Sequence, residues 1–378
     1  NGADNNVAVG QASMAALTTG LRNVSIGRES MSTATDCTDN VAIGDQALDA
    51  IAVGESQNIA IGKDAMSAVD EGTAGGDADA NIAIGYQALL GGDFAGNDRA
   101  LLGNIAIGRQ ALDATGSYAH TGTIAIGHLS LTALTSGAGN TAIGYLAGGA
   151  IVGGPNNTAI GYQAMDALVG GQGNTALGYN ALTAADDAEE YNTAIGYGAG
   201  DNINDGDNNT CVGALARTSA ADSNEQIVIG FNFSGTADNQ VHIGNASNHL
   251  YTAFSSDSWS ATSDIRQKKN IKDDNLGLEF INSLRTTTYN HKSPSEFPKE
   301  WESYNPNDKE PMDGDRVFHS LIAQEVKQSL DDIGCETFDG WSVDPDGRQR
   351  VSRTSFVTPL IKAIQELSAK VKALEDAQ

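Results

Sequence analysis

Residues 140–145 read Asn-Thr-Ala-Ile-Gly-Tyr, residues 157–162 repeat the same six, residues 174–179 change only Ile to Leu, and residues 192–197 return to the original. Outward from this block the pentad Asn-x-Ala-Ile-Gly recurs along most of the chain. Its glycines are Gly10, Gly27, Gly44, Gly62, Gly85, Gly108, Gly127, Gly144, Gly161, Gly178, Gly196 and Gly213, at intervals of 17, 17, 18, 23, 23, 19, 17, 17, 17, 18 and 17 residues. Weaker copies end at Gly230 and Gly244. A second half-motif follows each pentad, as in Gln-Ala-Leu at 46–48, 87–89 and 110–112. The spacing predicts a solenoid whose turn holds two short strands plus loops.

Inside the pentad the period is two, as a strand demands. In Asn-Ile-Ala-Ile-Gly the branched residues (Ile82 and Ile84, Ile105 and Ile107) point one way and the alanine the other. The expectation is that the branched face fills the roll and the alanine face meets a neighbouring copy. Glycine at each strand end permits positive φ, and the asparagine can bond locally or stack as a ladder. A turn that buries two or three branched side chains gains about 1.5–3 kcal/mol from each, against roughly 1–2 kcal/mol per residue ordered. So thin a roll calls for burial against further copies.

Composition narrows the function. The chain has 378 residues, with Lys+Arg 22 against Asp+Glu 48 and a net charge of −26, which excludes an unaided grip on nucleic acid or on an anionic membrane. Aromatic residues are only 6% and glycine numbers 44, a poor recipe for a large conventional core. No run approaches the ~20 apolar residues of a membrane span, so no membrane insertion is expected. The opening NGADNNVAVG has neither Met nor a basic-then-apolar leader, which reads as an excised or processed piece lacking an N-terminal attachment region. Cys37, Cys211 and Cys335 are odd in number and far apart, so neither a disulfide framework nor a metal knuckle is implied, and assembly in a reducing cytoplasm fits. No cofactor and no metal is expected, since the acidic residues form no calcium-loop pattern.

Charge and proline both divide the chain. Residues 1–262 carry 6 Lys/Arg and 27 Asp/Glu, whereas 263–378 carry 16 and 21, and only Pro155 precedes Pro294. The reading is mainly β: a trimeric parallel β-roll solenoid, then a small α+β domain ending in a trimeric coiled coil. The boundaries are 1–218 for the shaft, 219–262 for a neck that closes the roll, 263–354 for the α+β domain and 355–378 for the C-terminal helix. The 23-residue turns add loops at 71–80 and 91–103 that should bulge as decoration. Tyr145, Tyr162, Tyr179 and Tyr197 follow their glycines in successive turns and should form a mutually packed stripe.

The pentads resemble the head repeats of trimeric autotransporter adhesins and the stalk repeats of phage tail fibres. The resemblance implies a homotrimer of left-handed parallel β-rolls over residues 1 to about 250. The 17-residue period is longer than the adhesins' turn.

Ser263-Asp264-Ile265-Arg266-Gln267-Lys268-Lys269-Asn270-Ile271 resembles the opening signature of the endosialidase-type intramolecular chaperones, the self-cleaving C-terminal domains of phage tailspikes and fibres. Further matches are Leu276-Gly277-Leu278 with Phe280 and Ile281, Tyr289, Leu321 to Val326, and Pro359 to Leu367; Ser320 departs from the usual glycine. The resemblance implies Ser263 as nucleophile and Lys268 as base, cutting the Thr262–Ser263 bond, with Asp264, Arg266 and His319 as candidate support. A lysine base has to come down from ~10.4 to near 7, which takes burial and neighbouring cations. Spacing i, i+5 does not align the pair on one helix face, so the segment must turn or the pair must form across chains.

Val357, Leu360, Ile364, Leu367, Val371 and Leu374 are spaced 3, 4, 3, 4, 3, a heptad seam able to clamp a trimer. The function expected from all this is a trimeric tail-fibre shaft or tip for host-surface attachment, assembled in the host cytoplasm and carried on the virion. Its partners would be other tail proteins and an unknown surface receptor. The only enzymatic activity would be one self-cleavage. Rival readings are a bacterial trimeric adhesin, opposed by the missing anchor strands, and a polysaccharide-depolymerising tailspike, opposed by the lack of a defined acid/base pair.

Overall fold

A computed structural model describes residues 2–51, 53–69, 78–91, 100–115, 120–186, 189–247, 249–255, 260–261, 265–301, 303–311, 313–344 and 347–377. The chain divides into two compact units, Asn1–Ser263 and Asp264–Gln378.

The first unit is a parallel β-solenoid. Each pentad contributes a short strand, from Val7–Val9 through Ile82–Ile84 and Thr193–Ile195 to Gln240–Asn245, and fourteen such strands stack in parallel within one 16-stranded sheet. Register follows the repeat: Ala83 pairs with Ala106 and Ala142 with Ala159, position for position.

The strand faces are the reverse of the sequence expectation. The central alanines, among them Ala42, Ala83, Ala125, Ala159 and Ala194, are fully buried, while the branched residues on either side are half-buried or exposed. The reason is the width of the coil. Opposite each strand the turns send in a leucine or methionine such as Leu112, Leu131 or Met165 and a second apolar residue such as Leu134, Ile151 or Leu168. At Gly200 an added Cβ would lie 3.2 Å from Ala194 Cβ, Ile203 Cδ1 and Leu182 Cδ2, so this part of the interior is closely packed, and most strands place only an alanine in it. The apolar surface left partly uncovered in the chain is therefore the branched face.

The second half-motif also departs from expectation: Gln-Ala-Leu lies in turns and forms no strand. Its first and third residues are left-handed, with φ of 54° at both Gln46 and Leu48. Hydrogen bonds between coils hold this costly backbone. Gln46 N–H donates to Arg28 O of one neighbouring turn and Leu48 N–H to Ala65 O of the other, each at 2.9 Å.

The asparagines form an internal ladder. The backbone N–H of Asn157 donates to Asn140 Oδ1 at 2.8 Å, and that of Asn174 to Asn157 Oδ1 at 2.9 Å. Asn157 Nδ2 donates to Gly171 O of the next turn at 2.7 Å. The ladder falters at Thr123, whose buried Oγ1 has no partner among the described residues. The pentad glycines form a second column at positive φ. At Gly108 (φ +138°) a Cβ would come within 2.4 Å of Gly127 O, so no other residue fits without moving the next coil.

At the C-terminal end the strand His249–Ala253 turns back antiparallel on Gln240–Asn245 and pairs with Ser260–Ala261, which ends the parallel stack. The cores of the two predicted loops lie outside the described residues. Their flanks, Ala78–Asp79 and Leu101–Leu102, join His120–Thr121 in a three-stranded parallel sheet, so these turns thicken the wall as well as carrying insertions.

The second unit holds helices α1 (Leu278–Ser283), α2 (Ala323–Asp332) and α3 (Val357–Asp376). Two antiparallel strand pairs accompany them, Thr287–Tyr289 with Phe318–Ser320 and Trp341–Val343 with Gln349–Val351. Leu276, Phe280, Val326, Leu330 and Phe356 form its core. The Phe338 ring stands edge-on to both Phe280 and Phe356, with centroids 5.6 and 5.0 Å apart, a favoured aromatic geometry.

Candidate functional site

In the second unit α1 is docked on α3 by a carboxylate. Leu278 opens α1, and its N–H, one of the orphan donors of a helix start, donates to Glu366 Oε2 at 2.9 Å. The preceding Gly277 leaves room for this carboxylate, since a Cβ there would sit 2.4 Å from Glu366 Oε1 and push the side chain aside. Glu366 stands outside the heptad seam in the sequence, where it reads as a solvated flank. The short Leu-Gly-Leu motif was the one available sign of a close approach.

With Pro359 and Ala363 turned into the unit, α3 leaves its seam uncovered. Val357, Leu360, Ile364, Leu367, Val371 and Leu374 are 44–67% exposed, and Ile361 beside them is 52% exposed. Seven large aliphatic side chains on one helix are an interaction surface. The six seam positions predicted from the 3, 4 spacing are those that the structure uncovers.

The solenoid has a matching feature. In its outward column Val9, Ile26, Ile143, Leu177, Ile195, Ile229 and Ile243 are 37–55% exposed and the positions between them, such as Ile84 and Ile107, are half-buried; the column spans roughly 60 Å at strand spacing. Beside it the tyrosines form the predicted stripe. Tyr145, Tyr162, Tyr179 and Tyr197 are stacked with centroids 5.0, 5.3 and 5.1 Å apart and planes within 14°. Their faces are spent on one another, which leaves edges and hydroxyls outward.

Of the predicted cleavage residues, Thr262, Ser263 and Asp264 lie outside the described residues. Lys268 is exposed just after the single turn Ile265–Gln267, its N–H donating to Ile265 O at 3.0 Å, and Arg266 is exposed in that turn. His319 is exposed on the strand Phe318–Ser320, paired with Thr288. The lysine of the pair is thus placed, and the hydroxyl is not. Cys37 and Cys211 are buried, and burial pushes both thiols up, Cys211 to about 12, so neither serves as a nucleophile.

Residues 263–335 match the family described as chaperone of endosialidase. The match begins at Ser263 and runs through α1, both strands of the first pair and α2. A chaperone-of-endosialidase domain thus follows a parallel β-solenoid, a combination that fits a tail-fibre or tailspike-like protein with an intramolecular chaperone. No curated protein and no solved structure matches the chain. Among the described residues no helix is long and apolar enough to cross a membrane.

Proposed function

We propose that the chain is the distal part of a phage tail fibre or tailspike that attaches to the host surface as a homotrimer on the virion. Its C-terminal chaperone unit gathers three chains. The observation that carries this reading is the uncovered α3 seam on a chaperone-of-endosialidase domain, behind a shaft with an uncovered aliphatic column. Three α3 helices close the seam, which at 20 residues is short for a lone helix and sufficient as a clamp. Three shafts sharing their branched faces would cover the column. A parallel stack joins strands 14–23 residues apart and grows slowly from a free chain, so joining the C-termini first lowers the entropy of aligning three copies.

The unit then releases itself at Thr262–Ser263. Ser263 Oγ attacks the Thr262 carbonyl carbon while a neutral Lys268 takes the hydroxyl proton. The C–N bond breaks as the departing Ser263 nitrogen gains a proton, and water hydrolyses the resulting ester to leave a Thr262 carboxylate and a free Ser263 hydroxyl. The exposure of Lys268 in one chain supports a cut that waits for assembly, since burial by a partner chain would favour its neutral form.

Intact mass and N-terminal sequencing of wild type beside Ser263→Ala test the cleavage. The expected outcome is a 262-residue shaft and a 116-residue piece beginning at Ser263, both absent from the variant. Uncut wild-type chain, or a cut that persists in Ser263→Ala, would remove the peptidase step while leaving assembly to be judged separately.

A further inference from the structure

The last coil of the shaft departs from the others at one interior position. Register aligns Val228 with His242, so an imidazole stands in the column that most coils fill with alanine, and it is fully buried. The returning strand His249–Ala253 closes over it. Tyr251 lies directly opposite and stacks on it, with ring centroids 5.6 Å apart and planes 13° from parallel. His249 packs against both rings, at 5.8 Å from His242 and 6.2 Å from Tyr251, and Phe233 stands 5.6 Å from His249. These four rings plug the C-terminal end of the roll.

The plug suits neutral imidazoles. Whichever nitrogen of His242 holds the proton of a neutral ring, Nε2 has a partner: Gln240 Oε1 at 2.9 Å as acceptor, or the Thr236 N–H at 3.3 Å as donor. Nδ1 of His242 and Nδ1 of His249 are buried with no partner among the described residues. A second proton on each ring would leave a charged N–H inside without an acceptor, and would set two like charges side by side. The elements packed around the pair bring no acid to offset this. Ile227–Phe231 carries no charged residue, and His249–Ala253 brings only His249 and Tyr251. The turn 235–239 brings Asp238, which accepts from the Asn224 N–H and Gln226 Nε2. Ala216–Arg217, paired with Phe233–Ser234, brings Arg217, which is held by Asp201. Burial first, and then His249, hold His242 below the ordinary histidine value.

We propose that the plug is an acid-sensitive latch: as neutral rings it holds the strand His249–Ala253 on the last coil, and protonation of the histidine pair releases that strand while the coils before it stay folded. Five residue pairs join this strand to Gln240–Asn245, so it opens as a small unit of its own. Ser260–Ala261 pairs with the same strand, so the latch also orders the segment that runs on to Thr262–Ser263. Histidine is the side chain suited to such a change between pH 5 and 8.

The experiment is hydrogen exchange, read by mass spectrometry, on the full-length Ser263→Ala chain at pH 7.5 and pH 5.0, corrected for the pH dependence of intrinsic exchange. Protection of residues 249–253 is expected to fall about tenfold or more at pH 5.0, while strands Thr141–Ile143 and Thr158–Ile160, with alanine at the interior position, change by less than about twofold. The double variant His242→Ala/His249→Phe, which restores alanine to the column, should stay protected at both values. His249→Gln, which keeps the buried ring and removes the neighbouring charge, should move the midpoint of opening to lower pH. Unchanged protection of 249–253 at pH 5.0 would overturn the latch. So would an equal loss in the two reference strands, which marks general acid unfolding, or an opening whose midpoint is the same in His249→Gln.

Discussion

At the scale of single residues the asparagine ladder is the strongest local determinant, because each buried amide ties one coil to the next. Asn157→Ala strands Gly171 O and the Asn174 N–H at once and should destabilise the shaft by about 2–4 kcal/mol in a denaturant titration. Thr123→Asn should do the opposite, adding about 1 kcal/mol, since the missing rung would accept from the Asn140 N–H. The ladder was legible because asparagine precedes nearly every strand. The left-handed turn was less so, its one signal being glycine at 148, 198 and 200 where other coils place leucine or glutamine. Titrating groups pull in two directions. Burial holds His120 below the ordinary histidine value, and burial followed by the neighbouring His249 does the same for His242. His242 is packed against Tyr251 and His249, with Gln240 and Thr236 at its Nε2. Both favour the folded state as neutral imidazoles, so their contribution is present above pH ~6.5 and is lost as pH falls through the lowered folded values. Burial raises Asp49 to about 6, and its contribution is present below pH ~3.9 and is lost as pH rises through 6. Asp49→Asn should therefore raise the melting temperature at pH 8 and leave it unchanged at pH 3, and His242→Gln should flatten the loss between pH 7 and 5.

At the scale of elements the glycine column and α3 are the places where one substitution has the largest reach. Gly108→Ala forces a Cβ against Gly127 O at positive φ and should cost about 3 kcal/mol or more, with the coils on either side losing hydrogen-exchange protection first. Glu366→Ala removes the acceptor at the start of α1 and should lower the unit's stability by about 1–2 kcal/mol, whereas Glu366→Gln should retain most of it. The strand period was readable from the sequence, but the direction of its faces was not. Alternation gives two faces without saying which is inside, and here coil width decides: the turn residues Leu112, Leu131 and Met165 already fill the roll, so the strand's smaller residue goes in. One signal was available, since the alanine column is the one that varies as Ser25, Cys211, Val228 and His242, all buried, while its neighbours stay branched or threonine. The α3 seam was fully legible, as heptad spacing requires no knowledge of what lies around it.

At the scale of the whole molecule the proposed homotrimer would cover both uncovered apolar surfaces, the aliphatic column of the shaft (roughly 60 Å at strand spacing) and the seam of α3, with three copies in register. In that reading, parallel chains joined at their C-termini would bring like faces together. The sequence carried this argument in outline, through a roll too thin to stand alone and a helix too short to stand alone; the structure makes the branched residues, and not the alanines, the uncovered face. The most direct test is native mass spectrometry of the Ser263→Ala chain beside the same chain with Leu360, Ile364 and Leu367 changed to Ser. The account predicts a particle of three 39.1 kDa chains for the first and a monomer with poorly formed β-structure for the second. A monomeric, fully folded solenoid in the parent chain, or a trimer that persists after the seam is removed, would contradict it.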